Sequence, residues 1–265
     1  MNLSDPFDIA KFVRYSDDKF DDFSKNNINE LIHFESFYSH VGLRISSEIT
    51  PSLSKNLDIV CKRLKVPINK VKAFVLSRPD INAHCRHFEK KGCIIGLNSE
   101  LINLMSDGEI QFIIGHEIGH FLMNHNYFDD DPKITEEESI ASRAGEISSD
   151  RIGLLACKDV DLAIKAMIRL QSGLSDSLLR FDTGAFLSET DSEKMIRSQL
   201  ENSTHPSARI RANALLRFSL SQPYQLLVHN EKNGTSLKLI DSHIKKELDT
   251  YFDIRKKSFF ESWFD

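Results

Sequence analysis

The sequence predicts an α+β protein, mainly helical with a small antiparallel sheet, from three observations. Apolar residues recur at helical spacing over most of the chain. A β-rich stretch cut by turn signals lies between residues 71 and 97. The capping pattern Ser106-Asp107-Gly108-Glu109 opens a long apolar run carrying polar residues at regular intervals.

Taken in order, residues 1–27 are polar, include the acidic run Asp17-Asp18-Lys19-Phe20-Asp21-Asp22, and read as a loosely attached arm. Residues 28–64 predict two helices with a break at Thr50-Pro51. Residues 71–76, 81–88 and 93–97 read as strands, separated by the turn signals Ser77-Arg78-Pro79-Asp80 and Lys90-Lys91-Gly92. Ser99 caps a short helix over 100–105, and the box at Ser106 starts one running to about Asn124. Residues 127–138 are acidic, hold Pro132 and predict a loop. Helices follow over 140–156 and 159–170, then a polar stretch over 171–204 with a helix near its end. His205-Pro206 begins a helix to Leu220, residues 226–239 predict a hairpin around Asn233-Gly234, and 241–264 are helical. The expected division is an N-terminal helical segment (1–69), a core (70–220), and a C-terminal hairpin and helix packed on that core (221–265).

A chain of 265 residues buries a continuous core without a metal or disulfide staple, so metal ligands found here point to chemistry. A formal net charge of −5 and a pI near 6.1 exclude a general affinity for nucleic acid, which needs a basic face. No stretch approaches the roughly 18 apolar residues of a membrane span. The opening MNLSDPFDIAKF has no apolar run suited to a signal peptide, and Cys61, Cys85, Cys93 and Cys157 form no C-x-x-C pair. Reduced thiols in a cytoplasmic protein are the expectation.

The chemistry concentrates in Gly115-His116-Glu117-Ile118-Gly119-His120, an H-E-x-x-H pattern on the long apolar helix. Residues four apart share a helix face, so His116 and His120 can offer imidazole nitrogens to one ion. Zinc suits such ligands, and Glu117 sits where a general base for a zinc-activated water is needed. Two histidines on an apolar helix also fit hydrogen-bonded core residues. The helix cap, the small Gly115 and Gly119, and a third ligand candidate weigh against that. The candidate is Glu146, in Gly145-Glu146-Ile147-Ser148-Ser149-Asp150-Arg151, with Asp150 on the same face to orient one histidine. An exposed acidic face is the bland alternative for this pair. A third island is Ser203-Thr204-His205-Pro206 with Arg211 beyond it, where a surface histidine is the default reading.

On these three islands the chain resembles the HtpX and CAAX-prenyl-protease type of zinc metallopeptidase, family forty-eight of the metallopeptidases and gluzincins by ligand set. Residues 113–120 resemble its zinc helix, 145–154 its E-x-x-x-D-R-x-G-L segment, and Thr204-His205-Pro206 with Arg211 its late T-H-P…R motif. The likeness spans about residues 70–220, which the resemblance makes a zinc metallopeptidase core of zincin-like fold. It implies one zinc per chain on His116, His120 and Glu146, with Asp150 and Arg211 supporting the ligands. It further implies Glu117 as base, His205 in the cleft helping to stabilise the oxyanion, and a strand near Asn82 pairing with an extended peptide or protein substrate. Ser148-Ser149 departs from the usual middle of the second segment, and the lack of spans makes this a soluble member. Two other readings stand beside it. One is a peptidase of the ImmA type cleaving a specific repressor, suggested by His125 five residues beyond His120. The other is a non-catalytic zinc-stabilised interaction module, in which Glu117 would be dispensable.

Overall fold

The computed structural model describes residues 3–18, 28–125, 136–188 and 206–261. Among them run α1 (Pro6–Val13), α2 (Ile28–Val41), β1 (Gly42–Arg44), α3 (Pro51–Leu64), β2 (Val71–Leu76), β3 (Ala83–Phe88) and β4 (Gly92–Asn98). Then follow α4 (Ser99–Leu104), α5 (Asp107–Met123), α6 (Glu136–Cys157), α7 (Val160–Ser172), α8 (Thr183–Ser188), α9 (Ala208–Ser219) and α10 (Leu237–Glu261). The class is α+β, mainly helical with one small sheet.

That sheet is mixed, not antiparallel. Its order is β1-β2-β4-β3, with β2 and β4 parallel and the outer pairs antiparallel. β4 is buried along its whole length and carries the run Cys93-Ile94-Ile95-Gly96-Leu97. A strand apolar on both faces belongs at a sheet centre, so β4 inserts between β2 and its own hairpin partner β3. Phe74, Phe88 and Ile94 on one face pack with Tyr38 of α2. Val71, Ala73, Cys85, Cys93, Ile95 and Leu97 on the other join the main core with α3 and α5. The short strand β1 was not expected; three residues leave too little pattern to read.

α5 is the central element. Every residue from Glu109 to Met123 is buried, as for a helix apolar on all sides. Ser106 donates its backbone N–H to Glu109 Oε2 at 2.8 Å, closing the helix start, and Arg169 Nη1 neutralises the buried Glu109 at 3.1 Å. α6 crosses α5 closely at Gly115, Gly119 and Gly153. A Cβ on Gly119 would stand 2.8 Å from the Cα of Ser149, and one on Gly115 would meet Ala156.

The expected loose arm is instead tied down over residues 3–18. Ile9, Ala10, Val13 and Tyr15 are buried, and Phe7 packs edge-on to Phe121 of α5 with ring centres 5.7 Å apart. Arg151 of α6 donates to Val13 O at 2.9 Å and to Asp241 of α10 at 2.6 Å, while Asp241 accepts from Ser16 N at 3.0 Å. One buried guanidinium thus joins both ends of the described chain to the centre. The expected 226–239 hairpin is also absent. Ser221 accepts from Tyr224 N at 3.2 Å and Pro223 falls in the first turn, so helical turns form over Gln222–Tyr224 and Gln225–His229. A single bridge, Ser221 to Thr235, closes the segment. The apolar run Leu226-Leu227-Val228 is too short for periodicity to separate strand from helix.

Candidate metal centre

His116 and His120 lie one turn apart on α5 and present their Nε2 atoms 3.0 Å from each other. Glu146 comes from α6, with Oε2 3.5 Å from His116 Nε2 and Oε1 3.5 Å from His120 Nε2. All three residues are buried, and their donor atoms fall within 4.8 Å of one another. A tetrahedral ion with nitrogen donors about 2.0–2.1 Å away sets its neighbouring donors roughly 3.4 Å apart. The observed spacings of 3.0 and 3.5 Å bracket that value, so these residues could hold a zinc ion after small adjustments.

The ring orientations come from what holds each Nδ1. His116 Nδ1 donates to Asp150 Oδ1 at 2.9 Å, which leaves the Nε2 lone pair facing the cluster. Asp150 is in turn gripped by Arg211 of α9, Nε to Oδ2 at 2.8 Å and Nη2 to Oδ1 at 2.6 Å. Arg211 Nη1 also reaches Glu146 Oε2 at 3.2 Å, so one guanidinium spans both carboxylates. For the metal-free His116, burial opposes the charged ring, but the Asp150 hydrogen bond and the charges of Glu146 and Asp150 outweigh it, and its pKa is raised.

Glu117 is only 5 % exposed and sits beside His116 on α5. Its charge reaches Cys85 of β3, whose thiol is pushed up first by burial, then by Cys93 and by Glu117. The Glu117 carboxylate is therefore near enough to β3 for its charge to act on Cys85. His205 lies outside the described residues, as does most of the acidic stretch 128–138.

In the sequence His125 stands out only for its place five residues beyond His120, the spacing that suggests a peptidase of the ImmA type. His125 Nδ1 stands 3.0 Å from His120 Nδ1, the nitrogen pointing away from the cluster, and Asp18 lies at its other nitrogen, Nε2, 3.1 Å away. His125 is thus not one of the clustered donors. The four cysteines are buried and unpaired.

Residues 48–130 match the family model of Peptidase family M48. The match takes in α3 to α5 with His116, Glu117 and His120, and the fold brings Glu146, Asp150 and Arg211 to the same place from beyond it. The chain is also similar to the plastoglobule-localized metallopeptidase 48, chloroplastic, of Arabidopsis thaliana, at 22% identity over 196 residues. That alignment covers 63% of this chain and 57% of the relative, so the chain spans little more than half of that protein's length. No solved structure matches the chain. Among the described residues, no helix is long and apolar enough to cross a membrane.

Proposed function

We propose that the chain is a zinc-dependent metalloendopeptidase of peptidase family M48, whose family model matches its residues 48–130. Its proposed ligands are His116, His120 and Glu146, holding one zinc per chain. The observation that carries this reading is the buried trio His116, His120 and Glu146, with Glu117 buried one residue beyond His116 on α5. Two imidazoles and one carboxylate leave a fourth position open, as catalytic zinc sites do. Zinc there would supply a Lewis acid that polarises the scissile carbonyl and lowers the pKa of a water molecule.

The chain's own residues do the rest. Glu117 takes the proton of the attacking water on its carboxylate and returns it to the leaving amine. Asp150 holds His116 with its Nε2 lone pair directed at the metal position, and Arg211 fixes Asp150 and Glu146 together. His205, just ahead of α9, is assigned to the developing oxyanion on the strength of its T-H-P motif alone. Substrates are peptides or proteins, and the relative's description as a metallopeptidase supports that class. Four unpaired, buried cysteines support a reducing, cytoplasmic setting.

Glu117→Gln is the direct test. Hydrolysis of an unfolded protein such as casein should fall by about 10²–10⁴-fold, the usual contribution of a positioned base, with zinc content unchanged. Full hydrolysis by this variant would refute the assignment.

A further inference from the structure

We propose that Asp18 and His125 form a second positioning chain at the metal centre, holding His120 as Asp150 holds His116, so that the N-terminal arm is a working part of the site. This rests on the zinc reading above.

The geometry begins at the end of α5. Asn124 takes a left-handed conformation, φ 55°, and its N–H bonds Phe121 O while His125 N bonds His120 O at 3.0 Å. That pair of bonds is the Schellman stop, which folds the residue two past the helix back over its last turn. His125 is that residue, and the turn it covers contains His120. Its carbonyl accepts from His87 Nε2 of β3 at 2.8 Å, and its ring lies 3.3 Å from where a Cβ on Gly145 would stand. His125 is therefore clamped between β3, α5 and α6.

The proton order follows from the end of the chain. The Asp18 carboxylate lies 3.1 and 3.2 Å from His125 Nε2, and it accepts. A neutral His125 then carries its hydrogen on Nε2 and offers Nδ1 as acceptor. His120 donates its Nδ1–H there, and its own Nε2 lone pair turns to the donor trio. Ser149 Oγ also lies 3.3 Å from the same His125 nitrogen. The arrangement parallels that of Asp150 and His116, but its carboxylate acts through a second imidazole and comes from the N-terminal arm rather than from α6. Asp18 is 4% exposed and is placed by the ties already described, together with Tyr15 N donating to Ser148 Oγ at 3.1 Å and Asp18 N to Tyr15 O at 3.1 Å.

The test uses the full chain, stripped of metal, with zinc affinity measured by competition against a chelator. Removing a ligand's orienting partner typically weakens metal binding about 10–100-fold. Asp18→Asn and His125→Ala should each fall in that range, with Glu146→Ala far below both. A second readout needs no metal and no activity. Ring ¹⁵N shifts of His120 in the zinc-free protein should report the Nδ1–H form in the wild type and move towards Nε2–H in His125→Ala. Zinc affinities within twofold of wild type for both variants would overturn the inference. So would an affinity loss with the His120 tautomer unchanged, since that is a structural effect only. Wild type without zinc, or Glu146→Ala binding as wild type, would remove the zinc reading itself and the inference with it.

Discussion

Arg211 faces two buried carboxylates at once, and its removal leaves both without that charge. Breaking a buried ion pair by deleting one partner typically destabilises by about 3–5 kcal/mol. Arg211→Ala should therefore lower the urea-unfolding free energy of the metal-free protein by about 3 kcal/mol, and added zinc should restore part of it. His116 sets a pH dependence of definite sign. Its folded-state pKa is raised, so in the metal-free chain its contribution to stability is present at acid pH and is lost as pH rises through that value. Zinc needs the neutral ring, so its binding strengthens in the same direction. The gain in melting temperature on adding zinc should be larger at pH 8 than at pH 6; an equal gain would contradict the role given to His116. Burial pushes the Cys61 and Cys157 thiols up to about 12, so neither should react with Ellman's reagent until the protein unfolds. At this scale the cluster was legible because its members come in two helical pairs, 116 with 120 and 146 with 150, each a local spacing. Asp18 and His125 were not, since 107 residues separate them and no local pattern joins them.

Among elements, the α5–α6 crossing decides whether Glu146 meets the histidines. Alanine at Gly119 would gain about 1 kcal/mol of helix propensity. Overpacking against α6 backbone typically costs about 1–3 kcal/mol, and the 2.8 Å approach to Ser149 Cα leaves no flexible atom to yield. Gly119→Ala should thus lower the melting temperature and weaken zinc binding together, whereas a stabilised variant would show that the helices are not held at this distance. The helices themselves were readable from caps and periodicity, with Ser106 and Glu109 the clearest case. The sheet was readable as strands but not as an order, because pairing partners are set by burial on both faces of β4. The hairpin expected at Asn233-Gly234 failed for a different reason: Ser221 and Pro223 start a helical turn before any strand can extend.

For the whole molecule, Arg151 is the knot. Fully buried, it binds Val13 O and Asp241, which also holds Ser16, so the arm carrying Asp18 and the start of α10 share one anchor on α6. Asp241→Ala should open that anchor, destabilise by about 3–5 kcal/mol, and expose residues 3–18 to limited proteolysis ahead of the rest of the chain. The arm reads as polar and acidic in sequence, and its few buried apolar residues, Ile9, Ala10, Val13 and Tyr15, are too sparse to announce their partners. A zinc site built jointly by α5 and α6 fixes the metal content of the purified protein. Elemental analysis should give one zinc per chain for the wild type and for Glu117→Gln, and none for Glu146→Ala; zinc retained by Glu146→Ala, or absent from the wild type, would rule this site out.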